Sequence, residues 1–339
     1  MRLGVIGTGL LGTRHARVWY ELAETELVAV CDIDGTRAQN IAQQYNARAF
    51  TDYNNMFAQM QLDAVSIATP DHLHREPVLA ALNANVHVLQ EKPLATNAAD
   101  ARAIVDAAEK SNRVVMVNFS QRFVTDHAWL HDAIARGEIG APRMLLSIKH
   151  DNISVPTNMI RGWSQGTSPI YFMSSHDLDL VHWFLKVDPV SVMAQETRGT
   201  LDAQNIPVHD GLNALITFQN NIIANFHSSW IHPNTYPRLA DGFLQIIGDA
   251  GALTYNNRTR AAELFNARGG QKVEFTGAHT ADILDGKVTG AFVSSLQHFL
   301  ECIRAGREPD TSPRRVLATA LAQAAIMDAL KTKQLTSVF

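Results

Sequence analysis

A doubly wound α/β domain followed by an α+β domain on a large, mostly antiparallel open sheet is predicted from three observations. Apolar strand-like runs alternate with helical stretches as far as residue 118, the pattern of a parallel sheet covered on both faces. A glycine cluster, Gly7-Thr8-Gly9-Leu10-Leu11-Gly12, separates the first strand from the first helix. Past Arg122 the rhythm changes to neighbouring strands joined by short turns, which calls for antiparallel or mixed pairing. At about 150 residues per domain, the chain divides in two, with the expected domains at 1–120 and 121–339.

Charge and cysteine content narrow the class. The formal net charge is −4 over 339 residues, with acids and bases interspersed. That speaks against a nucleic-acid or membrane partner held by bulk electrostatics. Cys31 and Cys302 stand far apart in no metal-ligand spacing, which suits a reducing cytosol. The chain enters a strand at Arg2 and has no long apolar span, so a cytoplasmic protein is expected.

Leu3 to Ile6 is a short strand, and the helix after the glycines runs to about Leu22. In that setting the G-x-G-x-x-G spacing has a mechanical meaning. Gly7 allows the tight turn, Gly9 lets the backbone approach a pyrophosphate, and Gly12 lets helix and strand pack closely. The helix start at Leu10-Leu11 turns its N–H groups to the phosphates. A second strand, Leu27–Cys31, ends at Asp32, twenty positions past Gly12. An acid there accepts hydrogen bonds from an adenosine ribose and repels a 2′-phosphate, so NAD is expected over NADP. Arg37 is the counter-argument, since an arginine can accommodate that phosphate. It is expected on the next helix as a solvated charge, not beside Asp32.

Helices follow over Gly35–Tyr45 and Tyr53–Met60, then a strand over Asp63–Ala68 that leads into Thr69-Pro70-Asp71-His72-Leu73-His74. Asp71 reads as the N-cap of a helix to about Asn83. His72-x-His74 has no third ligand nearby, and no metal is expected. Val86-His87-Val88-Leu89-Gln90 is a buried strand that stops abruptly at Glu91-Lys92-Pro93. Lysines and acids are rarely buried unless paired, and proline cannot continue a central ladder. Ligands bind beyond the carboxyl ends of parallel strands, so Lys92 can reach a small molecule with a charged tip. A helix over about Asn97–Lys110 and a strand over Arg113–Asn118 complete the set.

In the second half an amphipathic helix, His127–Arg136, ends in the turn Gly137–Pro142. The strand Arg143–His150 opens a loop that runs to Pro169, and the next helix carries His176-Asp177-Leu178-Asp179. Strands are expected at Val190–Arg198, Gly211–Phe218, Asn221–Trp230, Gly242–Ile247, Leu253–Asn256, Ala261–Phe265 and Lys272–Phe275. Asn220-Asn221 makes a tight hairpin turn. Helices at about Gly290–Ala305 and Pro313–Lys331 close the chain.

With Glu91-Lys92-Pro93 beyond a G-x-G-x-x-G strand and His176-x-x-Asp179 on a later helix, the chain resembles the Gfo/Idh/MocA oxidoreductases. This is the family of glucose–fructose oxidoreductase and inositol dehydrogenase. The resemblance covers nearly the whole chain, including Thr69-Pro70-x-x-x-His74, Gly137-x-Ile139-Gly140-x-Pro142 and the terminal Ala291-Phe292…His298-Phe299…Ile303-Arg304-x-Gly306. It implies a Rossmann domain, then an open-sheet domain one face of which often forms subunit interfaces. It also implies hydride transfer between nicotinamide and a carbon of sugars, cyclitols or related polyols.

By that resemblance Lys92 touches both nicotinamide and the substrate hydroxyl, and His176 moves the hydroxyl proton. An imidazole supplies a base near neutral pH, and an ammonium stabilises an alkoxide as hydride leaves. Thr69, Pro70, His74, Glu91, Lys92 and Asn118 join Gly7, Gly9, Leu10, Leu11, Gly12 and Asp32 as expected cofactor residues. Asn152, Arg161, Trp163, Phe172, Asp179 and Tyr236 are expected at the substrate with Lys92 and His176. The family usually has Gly-Gly before this helix and an Asp four residues ahead of the histidine. Here Thr167-Ser168 and Phe172 stand there. If the helix already includes residue 172, Phe172 and His176 share a face; otherwise the altered approach turns Phe172 into the core.

The expectation is an NAD-dependent dehydrogenase of a sugar-like or cyclitol alcohol. A homodimer or homotetramer is expected, because the available helices can cover only one face of a sheet patterned like Leu212, Ala214, Ile216 and Phe218. Two other readings stay open. One is a nucleotide-binding sensor with reduced catalysis. The other is a lyase or glycosidase that oxidises its substrate transiently with tightly held NAD.

Overall fold

The computed structural model describes residues 1–276 and 279–339. Six strands open the chain: β1 (Arg2–Ile6), β2 (Glu26–Cys31), β3 (Arg48–Phe50), β4 (Ala64–Ile67), β5 (His87–Glu91) and β6 (Val115–Asn118). They form one parallel sheet in the order β3-β2-β1-β4-β5-β6. Helices α1 (Leu10–Glu21), α2 (Gly35–Tyr45), α3 (Tyr53–Gln59), α4 (Arg75–Asn83) and α5 (Ala98–Lys110) alternate with them. Val5, Val65, Val88, Leu89 and Val117 are wholly buried, which explains why these strands read as continuous apolar runs. The order reverses between β1 and β4, and ligands bind at the crevice such a reversal opens.

Local chemistry sets most helix starts. Asp34, Asp52 and Asn97 cap α2, α3 and α5, each accepting from the backbone N–H three residues on. Asp71 does not cap α4. It opens a short 3₁₀ turn, Asp71–Leu73, closed by Leu73 N–H donating to Pro70 O, and α4 begins only after His74. Strand β3 is too short for any alternation to show in sequence.

The chain continues with α6 (Thr125–Ala135), β7 (Pro142–Asn152), α7 (Pro169–Phe172), α8 (Ser175–Leu185) and β8 (Pro189–Thr197). Then come β9 (Gly211–Phe218), β10 (Ile223–His232), β11 (Ala240–Gly248), β12 (Gly251–Asn256), β13 (Ala261–Asn266) and β14 (Gly269–Glu274). Their sheet order is β14-β13-β12-β11-β7-β10-β9-β8. Only β7 and β10 pair in parallel; the other neighbours are antiparallel. Asn220 and Asn221 turn β9 into β10 with φ of 62° and 56°, the left-handed pair that a two-residue hairpin needs. On β9, Leu212, Ala214, Ile216 and Phe218 are buried while Leu215, pointing the other way, is exposed.

The last segment brings β15 (Asp282–Leu284), β16 (Lys287–Thr289), α9 (Ala291–Ala305), α10 (Pro313–Thr332) and β17 (Thr336–Ser337). β17 pairs with β8 and completes a nine-stranded sheet. Two compact units result: Met1–Ser120 with Ala278–Leu317, and Gln121–Gly277 with Ala318–Phe339. A single cut after residue 120 therefore misplaces 278–317. That stretch is bonded into the first unit: Val288 N–H donates to Glu21, Arg304 pairs with Glu24, and Thr311 exchanges two hydrogen bonds with Val117. Among the described residues no helix is long and apolar enough to cross a membrane.

Candidate active site

In the first unit the glycine turn is shaped as its spacing requires. Gly7 has φ of +84°, and a Cβ there would lie 2.6 Å from Ala68 O. A Cβ at Gly12 would lie 1.7 Å from Gly7 O, so α1 touches the turn backbone directly. A Cβ at Gly9 would meet nothing within 4 Å. Its backbone faces open space at the start of α1, beside Leu10 and Leu11, and this fits the pyrophosphate of a dinucleotide.

Asp32 lies just past β2, buried, with its carboxylate spoken for. Thr8 donates to Oδ2 through both N–H (2.7 Å) and Oγ1 (3.0 Å), and Asp34 N–H donates to Oδ1 at 2.9 Å. Arg37 is on α2 and half exposed, as expected, yet its Nη1 reaches Asp32 Oδ2 at 3.4 Å and its Nη2 reaches Asp34 at 3.4 Å. The expectation of no arginine beside Asp32 is thus corrected. An arginine in the first turn of α2 is long enough to fold back over the strand end.

The end of β5 is more deeply built than its sequence suggests. Lys92 is buried, 8% exposed. His74 directs Nδ1 to Pro93 O (2.8 Å) and Nε2 to Thr69 O (3.2 Å), joining Thr69-Pro70 to the Glu91-Lys92-Pro93 corner. Burial holds its imidazole below the ordinary pKa, against the pull of Asp71. His74 is a buried brace, and Gln90 adds two more hydrogen bonds to the carbonyls of Pro93 and Leu94. Glu91 and Asn118, expected at the cofactor, spend side-chain atoms inward. Glu91 Oε1 takes hydrogen bonds from Asn118 Nδ2 (2.7 Å) and His15 Nε2 (2.8 Å), while Asn118 Oδ1 accepts from Ser295 Oγ (2.6 Å). His15 and Ser295 were not anticipated. The spacing of His15 three residues after Gly12, on the Trp19 face of α1, was the available signal.

In the second unit His176 lies in the first turn of α8 and is partly buried. Asp177 approaches Lys149 of β7 at 3.5 Å, and Ser174 bonds Ser228 of β10 at 2.6 Å, fixing α8 to one sheet face. Burial raises the Asp177 carboxyl pKa, with Lys149 opposing. Phe172 does not share a helix with His176. α7 ends at Phe172 and α8 begins at Ser175, so the i, i+4 relation is broken. Phe172 instead packs between Trp163 (ring centroids 6.0 Å) and Trp230 (6.4 Å), on a cluster that includes Val155, Ile160 and Met173. Trp163 belongs to the same aromatic wall.

The remaining expected substrate residues have local partners. Asp179 is 1% exposed and is gripped by Arg122 through two hydrogen bonds of 2.6 and 2.7 Å. Asn152 ties its loop, donating to Pro233 O and accepting from Ser154 N–H. Arg161 is exposed. Tyr236 donates to Asp241 and lies against His232, with ring centroids 4.3 Å apart. It joins a histidine group in which His150 Nε2 meets His227 Nδ1 at 2.8 Å and His232 lies edge-on to His150. His150 and His227 neighbour Lys149 and Ser228 in sequence and so point to the opposite sheet face. Tyr236 therefore groups with these histidines, not with His176. Burial first, then His227 and His232, pushes the His150 pKa down to about 4. Among the described residues no group of three His, Cys, Asp or Glu could hold a metal ion.

A sequence model of the oxidoreductase family with an NAD-binding Rossmann fold, GFO_IDH_MocA, matches residues 1–119, and one of the GFO/IDH/MocA C-terminal domain matches 127–254. The chain belongs to the Gfo/Idh/MocA family. Inositol 2-dehydrogenase of Salmonella typhimurium is 33% identical to this Gfo/Idh/MocA protein over 195 residues, 56% of this chain and 55% of that enzyme. The chain thus spans about half the length of the curated relatives it matches first. The 1,5-anhydro-D-fructose reductase of Ensifer adhaerens is 29% identical over 76% of both chains. An oxidoreductase from Agrobacterium radiobacter, solved with NAD+, L-tartaric acid and magnesium, superposes with a TM-score of 0.85 at 21% identity. It covers 100% of this chain and 98% of its own. At that identity the likeness establishes the fold.

Proposed function

We propose that this family member is an NAD-dependent dehydrogenase acting on an alcohol carbon of a sugar, cyclitol or related polyol. The observation that carries the reading is a lysine buried at the carboxyl end of a central parallel strand, in the same unit as an open glycine cradle and a buried acid. The relatives support the substrate class, being named for inositols and an anhydro-sugar. NAD, when bound, supplies the hydride acceptor. Gly7, Gly9, Gly12 and the N–H groups at Leu10-Leu11 would hold its phosphates, and Asp32 its adenosine ribose. Lys92 places a positive charge where the substrate oxygen becomes an alkoxide, lowering the cost of charge that exists only during the reaction. His176 takes the hydroxyl proton in oxidation and returns it in reduction. The exposed sheet face around Met144, Met193 and Leu215 is taken as the surface of a homodimer or homotetramer.

A panel of sugars, sugar acids, cyclitols and deoxy-sugars, read by absorbance of reduced nicotinamide, tests the assignment. NADH production that depends on Lys92 and His176 is expected. Substrate turnover without NADH would favour transient oxidation by held NAD. Cofactor binding with no turnover on any member would favour a sensor.

A further inference from the structure

His176 stands at the very start of its helix. α7 stops at Phe172 and α8 starts at Ser175, so the histidine falls in a first turn with no helix before it to fix its bearing. Ser174 occupies the cap position, where a serine hydroxyl ordinarily accepts from the first N–H groups of the helix. It makes no such bond. Its Oγ lies instead 2.6 Å from Ser228 Oγ on β10, and both serines are 1% exposed. Three residues on, Asp177 Oδ1 lies 3.5 Å from Lys149 Nζ on β7, with the two side chains 14% and 11% exposed.

The two contacts act together. Lys149 and Ser228 are direct partners in the parallel register of β7 and β10, so their side chains stand on the same sheet face, about 4.8 Å apart. Residues three apart on a helix share a face and are separated by about 4.5 Å along its axis. The spacing of the sheet pair thus matches that of Ser174 and Asp177, and two points hold the helix where one would let it pivot. Each residue is turned about 100° from the last, so His176, lying between the two contacts in sequence, is turned away from the sheet. Farther along, α8 is anchored by buried Leu178 and Val181 and by the grip of Arg122 on Asp179. A buried ion pair adds little stability over apolar residues of similar volume, because removing both charges from water costs about what their attraction returns. What an ammonium–carboxylate pair and a hydroxyl pair add is direction.

We propose that Lys149 and Ser228, acting through Asp177 and Ser174, are positioning residues that fix the rotation of the first turn of α8 and so aim the His176 imidazole. This rests on the reading of His176 as the group that moves the hydroxyl proton. A proton passes only over hydrogen-bond distance, about 2.6–3.2 Å between heavy atoms. A first turn free to swing carries its base out of that reach for part of the time. The unused cap at Ser174 is then a local stabilisation given up for orientation.

The first test uses the full chain and needs no substrate. Isotopically labelled histidine gives each imidazole its own NMR resonance, and that of His176 is identified by its loss in His176→Gln. Lys149→Met removes the cation and keeps the bulk; Lys149→Arg keeps the cation. The His176 resonance should shift or split in Lys149→Met and in Ser228→Ala, and stay near wild type in Lys149→Arg. An unmoved resonance in a folded Lys149→Met, or an equal shift in Lys149→Arg, overturns the proposal. Should Lys149→Met fail to fold, Ser228→Ala carries the test, and an unmoved resonance there overturns it. In turnover of the most active member of the polyol panel, Lys149→Met should lose about 10- to 100-fold in kcat, the scale of a misplacement of up to about 1 Å, with KM for NAD within about twofold. In a His176→Ala background the same substitution should cost less than about twofold, because nothing is left to aim. Equal losses in the two backgrounds overturn the proposal. Full turnover in His176→Ala would instead remove His176 from the chemistry while leaving the NMR result intact, so the two failures are distinguishable.

Discussion

Asp32 meets Thr8, Asp34 and Arg37 at once, and cofactor preference hangs on that balance. The carboxylate repels a 2′-phosphate, whereas Arg37 stands 3.4 Å away and can turn toward one. NAD should bind more tightly than NADP in calorimetry, and Asp32→Ala should narrow or invert the difference, because Arg37 is then released. Lys92→Ala should lose roughly 3–4 kcal/mol of transition-state stabilisation, about 10²- to 10³-fold in kcat, with NAD affinity little changed. His176→Ala should lose turnover in the same way and recover part of it with added imidazole. His150 gives a pH signature of stability. In the fold its pKa is about 4 rather than 6.5, with Asp241 opposing the shift and Arg258 reinforcing it. The unfolded chain therefore binds a proton that the fold does not in the window from about 6.5 to 4. Stability should be flat above that window and fall as pH drops through it. Urea midpoints at pH 7.5, 6 and 5 check this, and His150→Asn should flatten the decline.

Elements with strong local signals were legible in sequence. α2 occupies Gly35–Tyr45 as its periodicity predicts, with Asp34 as cap, and Asn220-Asn221 makes the expected hairpin turn. That Lys92 follows a buried strand and that the glycines form a tight turn before α1 could be read because strand, breaker and helix signals there are all local. What failed depended on tertiary choice. Phe172 and His176 sit four apart in sequence, but the helix is interrupted at Met173-Ser174 and Phe172 packs against Trp163 and Trp230, contacts that no local pattern announces. Phe172→Asp is accordingly expected to cost stability without displacing a pH–rate limb. Phe172→Ala should cost about 2–3 kcal/mol, less than a fully buried phenylalanine, read from denaturant midpoints. Asp179 matched a substrate pattern, yet its partner Arg122 lies 57 residues away and no local rule points to it.

On the scale of the whole molecule, Met193 at 56% exposed, Met144 at 51%, Leu215 at 38% and Phe265 at 52% lie on the uncovered side of the nine-stranded sheet. Light scattering at micromolar concentration should give a dimer or tetramer, and Leu215→Arg should weaken it. The two-unit division was only half legible. Residues 278–317 carry helix signals of their own, and which body they join is decided by Thr311 meeting Val117 and Ser295 meeting Asn118, contacts far apart along the chain.

That late return has a consequence for how the protein is made. Ribosomes release the nucleotide fingerprint early, but Ser295 emerges some 175 residues after Ser120, roughly 10–35 seconds later at about 5–20 residues per second. During that interval Asn118 has no Ser295 to receive from, Glu21 and Glu24 have no C-terminal partners, and the edge of β6 waits for Thr311. The earlier of the two units to be synthesised is thus among the last to be finished, and the nascent chain must carry it incomplete past the birth of eight of the nine strands of the second sheet.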